Sequence, residues 1–140
     1  WHPWPYKNED FKLNPLVYAE EDDVEVIGRL KNSGQPSLVV KDFGNRKSVY
    51  SASPLLPAPV VRNILEDSGV HLYNKSGELV LANEKYVSIS AISGEDGKKT
   101  VYFPQKSTVY DLFTDEVIAR NVIKVEVDMK FKETKIFKLV

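Results

Sequence analysis

The sequence predicts a mainly β fold with one α-helix, in which an antiparallel β-sandwich is preceded by a strand-strand-helix segment. Three observations support this class. Alternating apolar–polar segments of about five residues recur roughly every 8–12 positions, which is typical of sandwiches and barrels. One stretch has the spacing of an amphipathic helix. The 140 residues are 42% hydrophobic and 28% charged, which suits a folded globular domain rather than a disordered chain.

Composition argues against several functional classes. The 19 Lys and Arg residues balance 20 Asp and Glu residues, and a net charge of -1 does not suit a typical nucleic-acid binder. No cysteine is present, which excludes disulfides, thiolate metal sites and a cysteine nucleophile. The apolar runs are only a few residues long, too short to span a membrane. We therefore expect no cofactor, no metal, no nucleic-acid partner and no membrane partner.

Residues 1–23 are predicted to form an extended arm. Pro3, Pro5 and Pro15 interrupt any regular element, and the arm closes with the acidic run 20–23. That run lacks the spaced carboxylates of a compact calcium loop, so a charged surface is favoured over a metal site. The arm is rich in aromatic residues, which either cover the domain core or form a sugar-stacking or interdomain surface. They are Trp1, Trp4, Tyr6, Phe11 and Tyr18.

Three strands are predicted next, at residues 24–27, 37–43 and 47–51. The last two are separated by Gly44-Asn45, and these residue types tolerate the positive φ that a two-residue hairpin turn requires.

A helix is predicted over about residues 58–68. Pro59 suits its first turn, where the missing N–H has no partner to lose. Gly69 can adopt the left-handed conformation after the last turn, which lets Val70 pack back on the helix. One apolar stripe indicates docking on a single sheet face. Its members are Val60, Val61, Ile64 and Leu65.

The rest of the chain is predicted to be β structure with one wet and one dry face, because its segments alternate. Pro104 separates two of these segments, and residues 132–134 form a turn. The predicted segments are 70–73, 78–82, 86–92, 100–103, 108–113, 117–119, 124–129 and 135–139.

Few residues suggest catalysis. His71 alternates with apolar residues directly after the helix, which favours a structural or surface role. Carboxylates occur as sequence neighbours in polar turns or, as with Glu66 and Asp67, on an exposed helix face, whereas a glycosidase needs two carboxylates facing each other across a substrate. Asn74-Lys75-Ser76 matches a glycosylation acceptor pattern, but one such match is close to chance.

Two stretches resemble known families. The run P-S-L-V-V-K-D-F-G-N-R-K-S-V-Y-S-A-S-P-L-L-P-A-P-V-V-R-N-I-L-E-D-S-G-V, within about residues 28–70, resembles the closing strands and last helix of the class I glutamine-amidotransferase-like domain of large β-galactosidase-type glycoside hydrolases. The resemblance implies a domain that mediates trimer formation and is not catalytic. True amidotransferases have a cysteine nucleophile, which this chain lacks.

From about residue 77 onward, T-V-Y-F-P…T-V-Y-D-L-F-T-D-E-V-I-A-R-N-V-I-K-V-E-V…T-K-I-F-K-L is similar to the small C-terminal β-sandwich domains of glycoside hydrolases. Tyr110-Asp111-Leu112 and the final Phe137-Lys138-Leu139 occupy the motif positions. The family usually has glycine near Asp115, where this chain has Asp115-Glu116.

Together these resemblances imply a division into an arm (1–23), the end of an amidotransferase-like domain (24–72) and a C-terminal β-sandwich (73–140). They imply a non-catalytic accessory domain of a glycoside-hydrolase-like protein that supports packing or oligomerisation. The implied partners are an upstream catalytic domain of the same polypeptide, further copies of the chain, and carbohydrate.

Two other functions stay open. A carbohydrate-binding module would stack sugars on exposed aromatic residues. A small stand-alone enzyme would need a cleft with convergent titratable groups of shifted pKa. Because Trp1 replaces an initiating Met, a fragment of a longer polypeptide is favoured over a processed or tag-cleaved product. Lack of cysteine permits secretion without requiring it, so the sequence does not determine the location, and a secreted or periplasmic one is favoured. The carbohydrate-contact candidates are Trp1, Trp4, Tyr6, Tyr102 and Tyr110.

Overall fold

A computed structural model describes residues 15–53 and 56–140 of the chain. It confirms the mainly β fold with one helix and antiparallel sheets. The chain divides between Pro57 and Ala58 into two compact units, called here the first and the second unit. The helix therefore belongs to the second unit. The division predicted at residue 72 separates two segments that resemble different domains, and it stays a prediction.

The first unit contains three antiparallel strands in the order β1-β2-β3. Gly44 has φ 81°, and the Phe43 amide donates to the Arg46 carbonyl at 2.9 Å, which confirms the two-residue hairpin turn. Val39 and Ala52 are the buried hydrophobic residues of the described part of this unit. The strands are β1 (Glu25–Arg29), β2 (Pro36–Asp42) and β3 (Lys47–Ser51).

The helix α1 (Ala58–Asp67) ends as the sequence predicts. Gly69 has φ 74°, its amide donates to Glu66, and the Val70 amide donates to the Leu65 carbonyl at 3.0 Å. This is the Schellman arrangement that glycine favours. None of the helix residues is buried, and Leu65 is 38% exposed. The apolar stripe thus packs loosely, which differs from the docked face that its spacing predicts.

The second unit contains a five-stranded antiparallel sheet in the order β4-β5-β8-β6-β7. The predicted sandwich takes the form of one continuous sheet whose inward side chains share a common core. Along the described residues, no helix is long and apolar enough to cross a membrane. The strands are β4 (Leu79–Ala82), β5 (Tyr86–Ser90), β6 (Gly97–Asp111), β7 (Val117–Met129) and β8 (Thr134–Leu139).

Two long strands replace four short predicted ones. Pro104 does not end β6, because an extended chain accommodates its fixed φ; the missing N–H coincides instead with a shift in pairing register between Tyr102 and Ser107. In β7, Asn121 has φ 53° where two short strands were predicted, and the strand continues past it. Residues 70–73 are not a strand, although the Tyr73 carbonyl accepts a hydrogen bond from the Tyr102 amide at 2.8 Å.

Alternation places the core on one face of this sheet. Every second residue of β5 points inward, as does every second residue of β6 outside the exposed stretch 104–106, and Val87, Val101 and Phe137 are fully buried. Even-numbered residues of β5, β8 and β6 point to the opposite side, called here the outer face. The core cluster comprises Val87, Ile89, Ala91, Val101, Phe103, Val109, Val125, Met129 and Phe137.

Candidate functional site

The predicted carbohydrate-contact residues fall into three groups. Trp1, Trp4 and Tyr6 lie outside the described residues. Tyr102 and Tyr110 are both half-buried on β6, and both point away from the core. The irregular stretch around Pro104 separates them, so the fold places them in two different sites.

Tyr102 lies in a cleft of about 290 Å³ beside the end of α1, called here the Tyr102 cleft. The Lys75 ammonium lies 5.5 Å from the centre of the Tyr102 ring and also forms an ion pair with Glu66. The Glu66 carboxylate raises the pKa of Lys75 and keeps it charged. The cleft is lined by Glu66, Val70, His71, Leu72, Lys75, Tyr102, Phe103 and Ile123.

His71 holds the wall of this cleft. Its Nε2 lies 3.2 Å from the Tyr102 carbonyl oxygen, and because a carbonyl can only accept, Nε2 is the donor. The ring packs edge-to-face on Tyr73 with centroids 4.6 Å apart. The Nε2 bond, together with the bond from the Tyr102 amide to the Tyr73 carbonyl, fastens residues 71–73 to β6, in agreement with the structural or surface role that the sequence favours for His71.

Tyr110 belongs to a row of side chains that crosses four strands of the outer face. Strand register pairs Tyr86 with Lys138, Lys138 with Tyr110, and Tyr110 with Val117. The Lys138 ammonium lies 5.6 Å from the centre of the Tyr110 ring and 3.8 Å from the nearer carboxylate oxygen of Asp115. Tyr86 is 41% exposed, so two tyrosines flank one lysine on an accessible sheet surface. Sequence reasoning missed Tyr86, since alternation gives the face of a residue but not the pairing of strands.

The turn after Tyr110 explains the Y-D-L motif in structural terms. The Asp111 Oδ1 accepts hydrogen bonds from the amides of Phe113 (2.8 Å) and Thr114 (3.1 Å). These bonds, that from Thr114 first, hold the pKa of Asp111 below its usual range. Asp115 has φ 56°, a left-handed conformation that glycine adopts freely and aspartate tolerates. The domains that the sequence resembles usually have glycine near this position, and glycine would adopt this backbone conformation without strain.

The buried charged residues of the described part of the chain form an ion pair that sequence reasoning missed. Glu78 and Lys99 lie 2.8 Å apart, with side chains 0% and 9% exposed. Ser93 donates to Glu78 at 2.5 Å and accepts from Lys99 at 3.0 Å, and the amides of Ile92 and Ser93 also donate to Glu78. Lys99 occupies an inward position next to Val101 in the alternation, and a lysine there requires a buried anion. That interruption is the signal that could have revealed the pair.

The environment of Glu78 keeps it ionised. Burial by itself would raise its pKa, but the bonds from Lys99, Ser93 and the two amides outweigh burial and lower the pKa to about 2. A carboxylate held in this way cannot serve as the general acid of a glycosidase, which needs a raised pKa. We interpret the cluster as a structural clamp.

The first unit contains a groove of about 570 Å³ between residues 17–24 and its sheet. Apolar side chains form most of the lining, and Lys41 provides the main cation. Lys41 lies 2.5 Å from Glu21 and 3.0 Å from Asp23, and the Lys41 bond lowers the pKa of Asp23. The groove is lined by Val17, Tyr18, Ala19, Glu20, Glu21, Val24, Val39, Lys41, Phe43, Ser48 and Tyr50.

The acidic run 20–23 thus contributes to ion pairing. Two of its four carboxylates neutralise Lys41, and the Glu21 bond is the main cause of the raised pKa of Lys41. Across the described ranges 15–53 and 56–140, no group of three or more His, Asp or Glu side chains is arranged to hold a metal ion.

Comparison with known proteins gives one likeness. Neither a protein-family profile nor a curated protein matches the chain. A crystal structure of β-galactosidase from Bacillus circulans sp. alkalophilus shares the fold, with a TM-score of 0.55 and 21% sequence identity. The likeness covers 86% of this chain but 18% of that chain, so this protein spans less than a fifth of the length of the enzyme it resembles.

Proposed function

We propose that this chain is a non-catalytic accessory domain of a glycoside-hydrolase-like carbohydrate-active protein, which packs against the rest of that polypeptide or supports its oligomerisation. The likeness of 86% of the chain to 18% of a β-galactosidase carries the proposal. The family resemblances in the sequence point to the same class of enzyme.

The surface of the first unit supports a packing role. Both faces of its sheet carry partly exposed apolar residues: Tyr50 (41%) beside Val39, and Val49 (36%) on the opposite face. Ile27, at the irregularity in β1, is 58% exposed. A three-stranded sheet needs a covered hydrophobic face to be stable. A neighbouring protein surface would cover these exposed apolar side chains.

The polar groups support a non-catalytic role. Among the described residues, the carboxyl groups with displaced pKa are Glu78, Asp23 and Asp111. All three are shifted downward and engaged with a lysine or with backbone amides. Retaining and inverting glycosidases need one carboxyl kept protonated. The three groups also belong to three separate clusters rather than to one cleft.

The test compares the chain with the longest open reading frame that contains it. We expect the longer protein to hydrolyse a nitrophenyl β-galactoside and the 140-residue chain to have no activity above buffer. We also expect amides of β1–β3 to exchange more slowly in the longer protein. A reading frame that encodes nothing further, unchanged exchange, or hydrolysis by the chain alone that a carboxylate substitution abolishes would each contradict the proposal.

Carbohydrate binding is the second candidate function. The pairing of Tyr86 and Tyr110 across Lys138 favours it, because tyrosine combines an apolar ring with a polar edge. The remaining candidates of this function are Trp1, Trp4, Tyr6 and Tyr102.

This second function is tested by calorimetric titration of the chain with galacto-, gluco- and xylo-oligosaccharides. Tyr110→Ala should weaken a measured affinity at least tenfold, whereas Tyr50→Ala in the first unit should leave it unchanged. Absence of binding to every oligosaccharide, or equal loss in both variants, would argue against the sugar surface.

A further inference from the structure

Strand β4 is an unprotected edge of the five-stranded sheet. Its four residues, Leu79-Val80-Leu81-Ala82, are all apolar. Leu81 is 68% exposed and Leu79 is 45% exposed, and both point to the outer face. Natural sheets protect such edges with lysine, proline or bulges, since an open edge is a template for pairing with another chain. Strand β4 contains no lysine, no proline and no bulge, although it is short.

The opposite edge of the same sheet is protected. Strand β7 carries Arg120, Lys124, Glu126 and Asp128, and its register with β6 shifts several times. Asn121, at φ 53°, adds a local distortion. Because both edges belong to one sheet, the contrast indicates that the open state of β4 is a specific feature of that strand.

The hydrogen-bonding groups of β4 can be assigned to the two sides of the strand. The Asn83 amide donates to the Tyr86 carbonyl at 2.9 Å, so this pair is hydrogen-bonded. Bonded pairs recur at every second residue, which makes Leu81 a bonded partner of β5. The N–H and C=O groups of Val80 and Ala82 consequently point away from the sheet, and no described strand lies beyond them.

We propose that β4 pairs antiparallel with β4 of a second copy of this chain about a two-fold axis. The register that uses both free residues joins Val80 to Ala82 of the partner copy and places the two Leu81 residues opposite each other. This inference deepens the oligomerisation part of the proposed function and rests on it.

A second copy fits this edge because the edge is self-complementary. A two-fold interface brings a patch against itself, and an uncharged apolar strand can do so without repulsion. The two Leu81 side chains meet at a non-hydrogen-bonded pair, where cross-strand side chains lie closest. Pairing would also extend the outer face, with its exposed Leu79 and Tyr86, across ten strands. Since β4 is only four residues long, the dimer should be weak and dependent on concentration.

The chain has no cysteine, so Leu81→Cys introduces a single thiol. In the proposed register the two Leu81 Cα atoms lie about 4.5 Å apart, within the range of about 4.4–6.8 Å that a disulfide spans. We expect mild oxidation to convert most of the Leu81→Cys variant into a covalent dimer. Ile118→Cys on β7, a site 38% exposed, should stay largely monomeric.

Sedimentation velocity of the full chain provides an independent measurement. We expect a reversible dimer that Leu81→Lys weakens at least tenfold and that Ile118→Lys leaves unchanged. Ala82→Pro should weaken it equally, since that N–H faces away from the sheet and its loss removes no bond to β5. Thermal unfolding of each variant checks that the domain remains folded.

A wild-type chain that is monomeric at every concentration would overturn the inference. A dimer that Ile118→Lys breaks would place the interface away from β4 and overturn the inference as well. A dimer that both Leu81→Lys and Ala82→Pro leave intact would do the same. None of these measurements involves a glycoside or the longer reading frame, so the result is independent of the tests of the proposed function.

Discussion

Both units are built from antiparallel strands, but they differ in how completely their hydrophobic side chains are buried. The second unit buries nine hydrophobic residues in one cluster, several of them completely. In the described part of the first unit, Val39 and Ala52 are buried, while Phe43 and Tyr50 stay more than 40% exposed. Alternation of apolar residues is therefore insufficient for stability. A sheet also needs a second layer, and among the described residues of the first unit residues 17–24 line a groove on the sheet.

This difference in burial predicts that the two units differ in stability. The second unit has the burial expected of an independently stable domain, so its strands should unfold cooperatively. Under the proposed packing role the first unit forms one side of an interface, and the amides of its strands should exchange more slowly when that interface is formed.

The largest effect is expected in the core of the second unit. Phe137 is completely buried between β5 and β6, and Phe137→Ala should reduce the free energy of unfolding by about 3–5 kcal/mol. Val39→Ala in the first unit should cost less, about 1–2 kcal/mol, because Val39 has a smaller side chain and lines the groove of that unit. Urea denaturation followed by circular dichroism measures both values. Equal losses would contradict the proposed difference between the units.

Acid should weaken the second unit through the buried pair of Glu78 and Lys99. The pKa of Glu78 is about 2 in the folded protein against 4.5 ordinarily, so the folded state holds fewer protons than the unfolded state. Its stabilising contribution, roughly 3 kcal/mol, is complete above pH 4.5 and is lost as the pH falls toward 2. In the wild-type chain the urea midpoint should fall as the pH is lowered through this range. In Glu78→Gln the midpoint should depend much less on pH.

Removing one partner of that pair also leaves a buried charge at neutral pH. Glu78→Gln should therefore destabilise the second unit, while the double variant Glu78→Gln/Lys99→Met should recover much of the loss because neither charge remains. A double variant as unstable as the single one would indicate that Glu78 acts mainly through Ser93 and the amides.

A smaller effect is expected at the turn before β4. The Asn74 Oδ1 accepts bonds from the amides of Ser76, Gly77 and Glu78, and its Nδ2 donates to the Thr100 carbonyl at 3.0 Å. Asn74→Ala should cost about 2 kcal/mol, the upper range for a lost cap. Asn74→Asp keeps the acceptor and should cost less. Thermal unfolding of both variants checks the ranking, and the reverse order would show that the Nδ2 bond dominates.

The smallest effect is expected in the first unit at Gly44. An added Cβ would meet no atom within 4 Å, but the φ of 81° is strained for any L side chain. Gly44→Ala should therefore cost about 1–2 kcal/mol locally. Hydrogen exchange should accelerate in β2 and β3 while β5 and β8 keep their protection. Asn45→Ala, next to it in the turn, serves as the control, and faster exchange throughout the chain would mean that the two units unfold together.

The sequence predicts local features well where one residue type has one physical role. The Gly69 cap, the Gly44 hairpin and the alternation of β5 all follow from backbone preference or side-chain period. Strand ends were less predictable. Breaks are predicted at Pro104 and between residues 119 and 124, yet both strands continue. Pro104 disturbs the pairing within an extended path, and Asn121, with φ 53°, is a local left-handed distortion inside β7.

Long-range pairing lay beyond sequence reasoning. The Tyr86–Lys138–Tyr110 row depends on β8 entering between β5 and β6, and nothing local in β8 specifies its neighbours. The partnership of Glu78 and Lys99 spans 21 positions and likewise depends on how the sheet closes. Tyr102 and Tyr110, both predicted as sugar contacts, share a strand but not a site.

The position of β8 in the sheet has a consequence for biosynthesis. It is the last of the strands along the chain, yet it lies in the middle of the sheet and pairs with both β5 and β6. A ribosome exposes the chain in order, so the pairs β4–β5 and β6–β7 can form first, but they can join into one sheet only after β8 emerges. The sheet can then close only by joining distant segments, which makes its folding slow and late. A truncation or stalled translation before Thr134 would leave four strands without their central member.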